Sequence, residues 1–219
     1  HRSAAVGNRP GLAQLDTGRN RTRRNVGTLQ TAVASPDLGV TTAITIEEAR
    51  QQCRLYGETS HDADLLRLID VVSAQFEQHT GIVLMDTTYV LTLDGFTDRD
   101  IDLQVYPVSA INSIVYDNEV NAATTMSASD YYASLGGMTP YVRAVNYYWP
   151  TTYANKPGSV RITMQAGYAS PDAVPANIKQ ALLIQLYDMW NNPGDQITGT
   201  IVASSGAYNA IADKYRRRA

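Results

Sequence analysis

The sequence is poor in the residues that mark chemistry: one cysteine, two phenylalanines, two tryptophans and three histidines in 219 positions. A lone Cys53 excludes an intrachain disulfide, and no Cys/His spacing of the metal-binding type is present. Cys53 reads instead as a small buried side chain on a helix. No run approaches the roughly 20 apolar residues that a bilayer span requires. No phosphate loop, Rossmann glycine pattern, nucleophile elbow or zincin motif appears. The histidines do not pair. His1 is terminal, His61 precedes a predicted helix and His79 ends it, where its charge suits the helix dipole. The chain opens on His1 rather than Met, which suggests a trimmed or partial protein, and its first residues lack the apolar core of a signal peptide.

What is present is a globular composition. A hydrophobic share of 44% is enough for a core, and the length fits one domain, or one plus a tail. Charge is unevenly spread. Residues 1–43 hold six Arg against two Asp, about +4, which leaves twelve basic and nineteen acidic residues elsewhere, about −7. Lys214, Arg216, Arg217 and Arg218 close the chain. An acidic body thus carries two basic ends, and such tails either bind something negative or stay solvated. Fourteen tyrosines stand against the few other aromatics. Tyrosine suits surfaces buried on assembly, and it is also a good strand former.

Four segments follow from the pattern. Residues 1–43, rich in Gly, Asn, Thr, Arg and Ala without apolar period, read as an extended basic arm that a partner would have to order. Residues 44–84 read as helical. Thr45 and Glu48 have capping-box spacing ahead of a helix over Ile46–Leu55, ending at Gly57. Thr59–Asp62 repeats the pattern before a second helix with a Leu65, Ile69, Val72, Phe76 stripe, stopped by Thr80-Gly81. Residues 85–168 carry strand signals: Tyr89–Leu93, Ile101–Val105, Ile111–Tyr116, Asp130–Leu135, Tyr141–Val145 and Val160–Ala166, parted by turn residues. Residues 169–219 return to helix. Pro175 takes the first helical position, and Ile178–Trp190 is apolar on nearly every side, as in a helix buried among several neighbours. A loop of small residues leads to a last helix with Tyr208, Ile211 and Tyr215, followed by the basic tail. The expected class is α+β. It is a small helical bundle of two N-terminal helices, one long buried helix and one short C-terminal helix, carrying an inserted antiparallel sheet or sandwich of about six strands. Residues 44–219 form one structural unit.

Asp94, Asp98, Asp100 and Asp102 are the densest carboxylate cluster. They lack the ligand pattern of a calcium loop, and the last three alternate with Ile101 and Leu103 as the wet face of a strand. Tyr147-Tyr148-Trp149-Pro150 has the rings of a base-stacking platform but no interleaved Lys or Arg, which favours a packed aromatic loop or a subunit contact.

Residues 44–216 resemble the head–tail connector (head-completion adaptor) proteins of tailed phages, prophages and gene transfer agents. The resemblance rests on Ile44-Thr45-Ile46-Glu47-Glu48-Ala49, Asp62-Ala63-Asp64, Leu91-Thr92-Leu93-Asp94-Gly95-Phe96 and Tyr106-Pro107-Val108. It continues in Pro157-Gly158-Ser159-Val160-Arg161-Ile162-Thr163, Ala166-Gly167-Tyr168 and Val174-Pro175 leading into Ile178–Leu183. Each motif is short, and their order and spacing carry the specificity. The resemblance implies a non-enzymatic virion protein without cofactor, metal or membrane. It would form a ring, usually of twelve copies, under the portal protein at the capsid vertex. That ring would be assembled in the host cytoplasm, present a face to the next neck or tail protein, and let genomic DNA pass its lumen without sequence recognition. By position, the implied portal-docking residues are Tyr208, Ile211, Tyr215, Arg216, Arg217 and Arg218. Removal of Ala207–Ala219 is expected to abolish docking and leave the fold. Tyr147, Tyr148, Trp149 and Trp190 are candidate subunit contacts. The arm is longer than in the family, so its role is not carried over. Arg19, Arg21, Arg23 and Arg24 are its candidate contacts, and a nucleic-acid-binding virion protein using that arm is the alternative reading.

Overall fold

The computed structural model describes residues 27–31, 42–96, 99–192 and 206–217. The order of elements is β1 (Thr28–Thr31), α1 (Ile46–Gln52), α2 (Asp62–Thr80), β2 (Thr87–Leu93), β3 (Asp100–Asp102), β4 (Val108–Asp117), β5 (Ala123–Thr125), β6 (Tyr131–Ser134), β7 (Tyr141–Ala144), β8 (Val160–Ala166), α3 (Ala176–Asn191) and α4 (Gly206–Tyr215). The class is α+β, as expected.

The helical layer starts with the capping box the sequence announces. The Glu48 amide donates to Thr45 Oγ1 at 3.2 Å, and the Thr45 amide donates to Glu48 Oε2 at 2.8 Å. Two orphan amides of the first turn are thereby satisfied. Glu48 Oε1 also accepts from Lys179 Nζ at 2.9 Å, tying α1 to α3. Burial alone would raise the Glu48 carboxyl, but Lys179 and Thr45 together hold it below its ordinary value. α1 ends at Cys53, short of the expected Leu55; the thiol is buried, as expected, and burial pushes it up. The second capping pattern does not form. His61 is the N-cap of α2 without a side-chain bond, because Asp62 is spent on an ion pair with Arg50 of α1. Leu65, Ile69, Val72 and Phe76 are each fully buried, and Gly81 closes the helix in the left-handed region with φ +73°.

The strands make two antiparallel sheets, ordered β1-β2-β8-β4-β5 and β3-β7-β6. β8 is the middle strand, and Val160, Ile162, Met164 and Ala166 on its inner face are fully buried. The two sheets share one core, to which Leu91, Leu103, Ile114 and Val142 also belong. A separate core fills the helical layer.

Three details depart from the pattern read in the sequence. Thr28–Thr31, assigned to the arm, is a strand paired with β2 in this chain, so that stretch needs no partner to order it. β3 stops at Asp102, because Gln104 takes φ +63° and breaks the extended run; Leu103 and Val105 stay buried outside a strand. Pro175 is the N-cap of α3 rather than its first residue. Of that helix only Ile178, Ala181, Leu182 and Leu186 are buried among the described residues, so its far side is half-exposed.

Layer and sandwich meet at a backbone joint. Val83 N–H donates to Tyr106 O, Gly167 N–H to Pro107 O and Tyr168 N–H to Leu84 O, at 2.8–3.2 Å. Gly167 has φ +106°, and a Cβ there would lie 2.2 Å from Met85 O, so only glycine lets the end of β8 pass this backbone.

Candidate functional site

The C-terminal helix is the first candidate surface, and its side chains divide sharply. Tyr208 is 8% exposed and meets Phe76 of α2 edge-on, with ring centroids 6.3 Å apart at 75°. Ala212, one turn on, is fully buried. Tyr215 donates its hydroxyl to Asn177 Oδ1 of α3 at 2.8 Å, and His79 Nε2 lies 3.1 Å from Asp213 Oδ1. Arg217 is drawn inward too. Its amide donates to Thr80 O at 2.8 Å, and its guanidinium pairs with Asp102 of β3. It therefore clasps the end of α2 to the three-stranded sheet. Burial, with Tyr106 and Tyr215 beside it, pushes the Tyr168 phenol at the joint up to about 12.

Of the expected docking residues, Tyr208, Tyr215 and Arg217 are thus occupied within the chain. Ile211 is half-buried and Arg216 exposed, while Arg218 lies outside the described residues. The expectation that Ala207–Ala219 can be removed without harm to the fold is corrected here, because α4 supplies Tyr208 and Ala212 to the helical core.

The second candidate surface is the end of the sandwich away from the helices. Register places it: Leu93 and Tyr116 both face Val160, whereas Thr87 and Val108 both face Ala166 beside the joint. The loops after β2 and β4 and before β8 are therefore neighbours. Polar contacts lock them. Tyr153 N–H donates to Asp117 O, Gly158 N–H to Asp94 Oδ1 and Lys156 Nζ to Asn121 Oδ1. The buried Asp117 carboxylate receives Arg161 at 2.9 Å and Lys156 at 2.7 Å, and these two cations hold its pKa down to about 2.

The aromatic loop sits on this end. Trp149 stacks on Phe96 with centroids 4.7 Å apart and planes 7° from parallel, and its Nε1 donates to Arg99 O. Tyr116 meets Phe96 edge-on. Trp149 is thus a pedestal, half-buried in its own chain, while Tyr147 and Tyr148 are 62% and 86% exposed. The Arg99 guanidinium lies 4.3 Å from the Tyr147 ring centroid. A cation interleaved with these rings, which the local sequence lacks, is supplied from forty-eight positions upstream. No local signal points to Arg99 or Phe96 as partners of this loop, because only the closure of the sandwich brings them together.

The remaining candidates are accounted for individually. Trp190 packs edge-on against His61 at 5.3 Å within the chain. Arg19, Arg21, Arg23 and Arg24 lie outside the described residues, as does Asp98. Asp100 and Asp102 flank the buried Ile101 as the wet face of β3 and pair with Arg143 and Arg217. Among the described residues no group of three or more His, Cys, Asp or Glu is placed to hold a metal ion.

The architecture is an α+β protein of two cores, a helical layer and an antiparallel sandwich, joined at one seam and closed by a C-terminal clasp. That fold recurs in the particles of gene transfer agents (GTA). A chain in the neck of an empty GTA particle of C6 symmetry superposes with a TM-score of 0.72 at 22% identity, over 88% of this chain and 96% of that one. A chain in the virion of a native particle gives 0.69 at 22%, over 87% and 96%. A chain in the neck of a native particle of C12 symmetry gives 0.65 at 17%, over 88% and 96%. No family model and no curated protein matches the sequence. At the level of fold, the likeness agrees with the resemblance to head–tail connectors.

Proposed function

We propose that this protein is a structural adaptor in the neck of a phage-like virion. In this reading twelve copies form a ring under the portal, join capsid to tail and continue the DNA channel. The observation that carries it is the likeness in fold over 88% of this chain and 96% of the neck chain. Residues 44–219 act as one subunit, with residues 85–168 as the insert that meets neighbours or the tail side. Portal contact falls to Ile211 and Arg216, since Tyr208, Tyr215 and Arg217 are used within the chain. The acidic body suits a lumen through which DNA slides, because phosphate binding needs basic groups. The test is native mass and negative-stain imaging with and without portal protein. A ring that gains mass with portal is expected, and a monomer that never binds portal sinks the reading.

The six Arg against two Asp in residues 1–43 favour a second reading, in which the arm grips nucleic acid. DNA binding that weakens steeply with salt and vanishes on deletion of residues 1–24 would favour it over a purely structural role.

A further inference from the structure

Two surfaces at opposite ends of this chain differ in chemistry, one an aromatic tip beside a cation and the other a cleft lined by carboxylates. At the far end of the sandwich, Tyr147 takes φ +65°, a left-handed conformation that is costly for a bulky side chain. Arg99 above its ring and the Trp149–Phe96 stack beneath the loop hold it there. Tyr148 stands out beside it. The tip is a pre-ordered aromatic knob with a cation at its rim, Arg99, whose charge also helps hold the Asp100 carboxyl below its ordinary value. At the helical end, a cleft of about 170 Å³ opens between α2 and the lead-in to β2, lined by Ala43, Asp70, Ser73, Ala74, Glu77 and Met85 among others. It is below the roughly 300 Å³ at which small-molecule sites begin, and is of the size for one ring. Its chemistry is unfinished: the Ser73 hydroxyl oxygen is buried without a hydrogen-bond partner, Asp70 is exposed beside it, and Glu77 accepts only from Leu84 N–H among the described residues.

We propose that the Tyr147–Tyr148 tip of one copy seats in the Asp70–Ser73–Glu77 cleft of the next, with Tyr148 filling the cleft toward Ser73 and Arg99 facing Asp70. This rests on the ring reading above and names the contact that builds the ring. The two surfaces cannot meet within one chain. The cleft lies before the start of β2 and the tip beyond its end, about 23 Å apart at the rise of a seven-residue strand. A contact between two different faces leaves each copy with one tip and one cleft to pass on, which is what a closed ring needs.

The test is a covalent one on the full chain. In a Cys53→Ala background that keeps both tip tyrosines, Asn146→Cys beside the tip and Ala74→Cys are combined; both sites are exposed, and a disulfide needs Cα atoms within about 7 Å. Oxidation is expected to give a ladder of covalent multimers from the double variant and no more than dimers from either single. Arg99→Glu should raise the concentration for half-assembly at least tenfold, and adding Asp70→Arg should restore it. Thermal melting of each variant checks that the fold is intact. A wild-type ring without the ladder, or one indifferent to Tyr148→Ala and Arg99→Glu, overturns the contact and leaves the tip to another neck protein. A wild-type protein that stays monomeric at every concentration overturns the ring reading and this contact together.

Discussion

Tyr208→Ala should destabilise the protein and loosen the C-terminal helix. The ring is 8% exposed and edge-on to Phe76, so truncation removes nearly all its buried surface and leaves a hole beside α2. Large-to-small changes of buried aromatics cost about 3–5 kcal/mol, including the edge-to-face contribution. The remaining ties are weaker. The His79–Asp213 contact is exposed on both sides and contributes ~1 kcal/mol at most. The Tyr215–Asn177 hydrogen bond adds about 1 kcal/mol. A ten-residue helix has no stability of its own in water, being shorter than the roughly 12–15 residues at which isolated helices become marginal. The loss of Tyr208 is therefore comparable to what the other ties supply together, the Arg217 contacts to Thr80 O and Asp102 and the burial of Ala212 included. At ~2–4 °C per kcal/mol for a chain of this length, the melting temperature should fall by about 6–20 °C. Calorimetry reads the shift, and hydrogen exchange reads α4 directly: its amides should lose protection before those of β8. A melting temperature within about 2 °C of wild type, with α4 still protected, would falsify the claim that α4 is integral to the fold.

Three further outcomes follow from buried groups. Asp117→Asn should destabilise at neutral pH, with the gap to wild type closing between about pH 4 and pH 2 in acid titrations. The Arg161 and Lys156 contacts are present above the ordinary carboxylate pKa and are lost as pH falls through the folded value of about 2; a gap that persists below pH 2 contradicts the ion-pair account. Glu77→Gln should raise the melting temperature at pH 8 more than at pH 4. Burial lifts the Glu77 carboxyl above its ordinary value, so the charge destabilises once pH rises through it, and glutamine still accepts from Leu84 N–H; equal shifts at both pH values would refute this. Gly167→Ala should cost at least about 1–3 kcal/mol from its backbone dihedral alone, plus the clash with Met85 O, and a urea midpoint unchanged from wild type would show that the joint gives way easily.

Much of the molecule was legible because it is local. The capping box at Thr45 and Glu48, the Leu65–Phe76 stripe, the Gly81 stop and the alternation along Val160–Ala166 are each written within a few residues, and the chain folds them as written. Where reading failed, a distant group had intervened. Asp62 caps nothing because Arg50 takes its carboxylate. The segment Thr28–Thr31 has no apolar period because it lies on a sheet edge, where the exposed edge of β2, not its own side chains, makes it a strand.

The sequence by itself determined the class of fold, the order of its helices and strands, the acidic body and the basic ends, since propensity, periodicity and charge are properties of neighbours along a chain. Only the tertiary structure decided which residues are free to meet a partner. Tyr208, Tyr215 and Arg217 look from the sequence like a docking surface, yet packing against Phe76, Asn177 and Asp102 turns them inward. Tyr148 remains outside because Trp149, the residue after it, is the one that finds Phe96 to stack on.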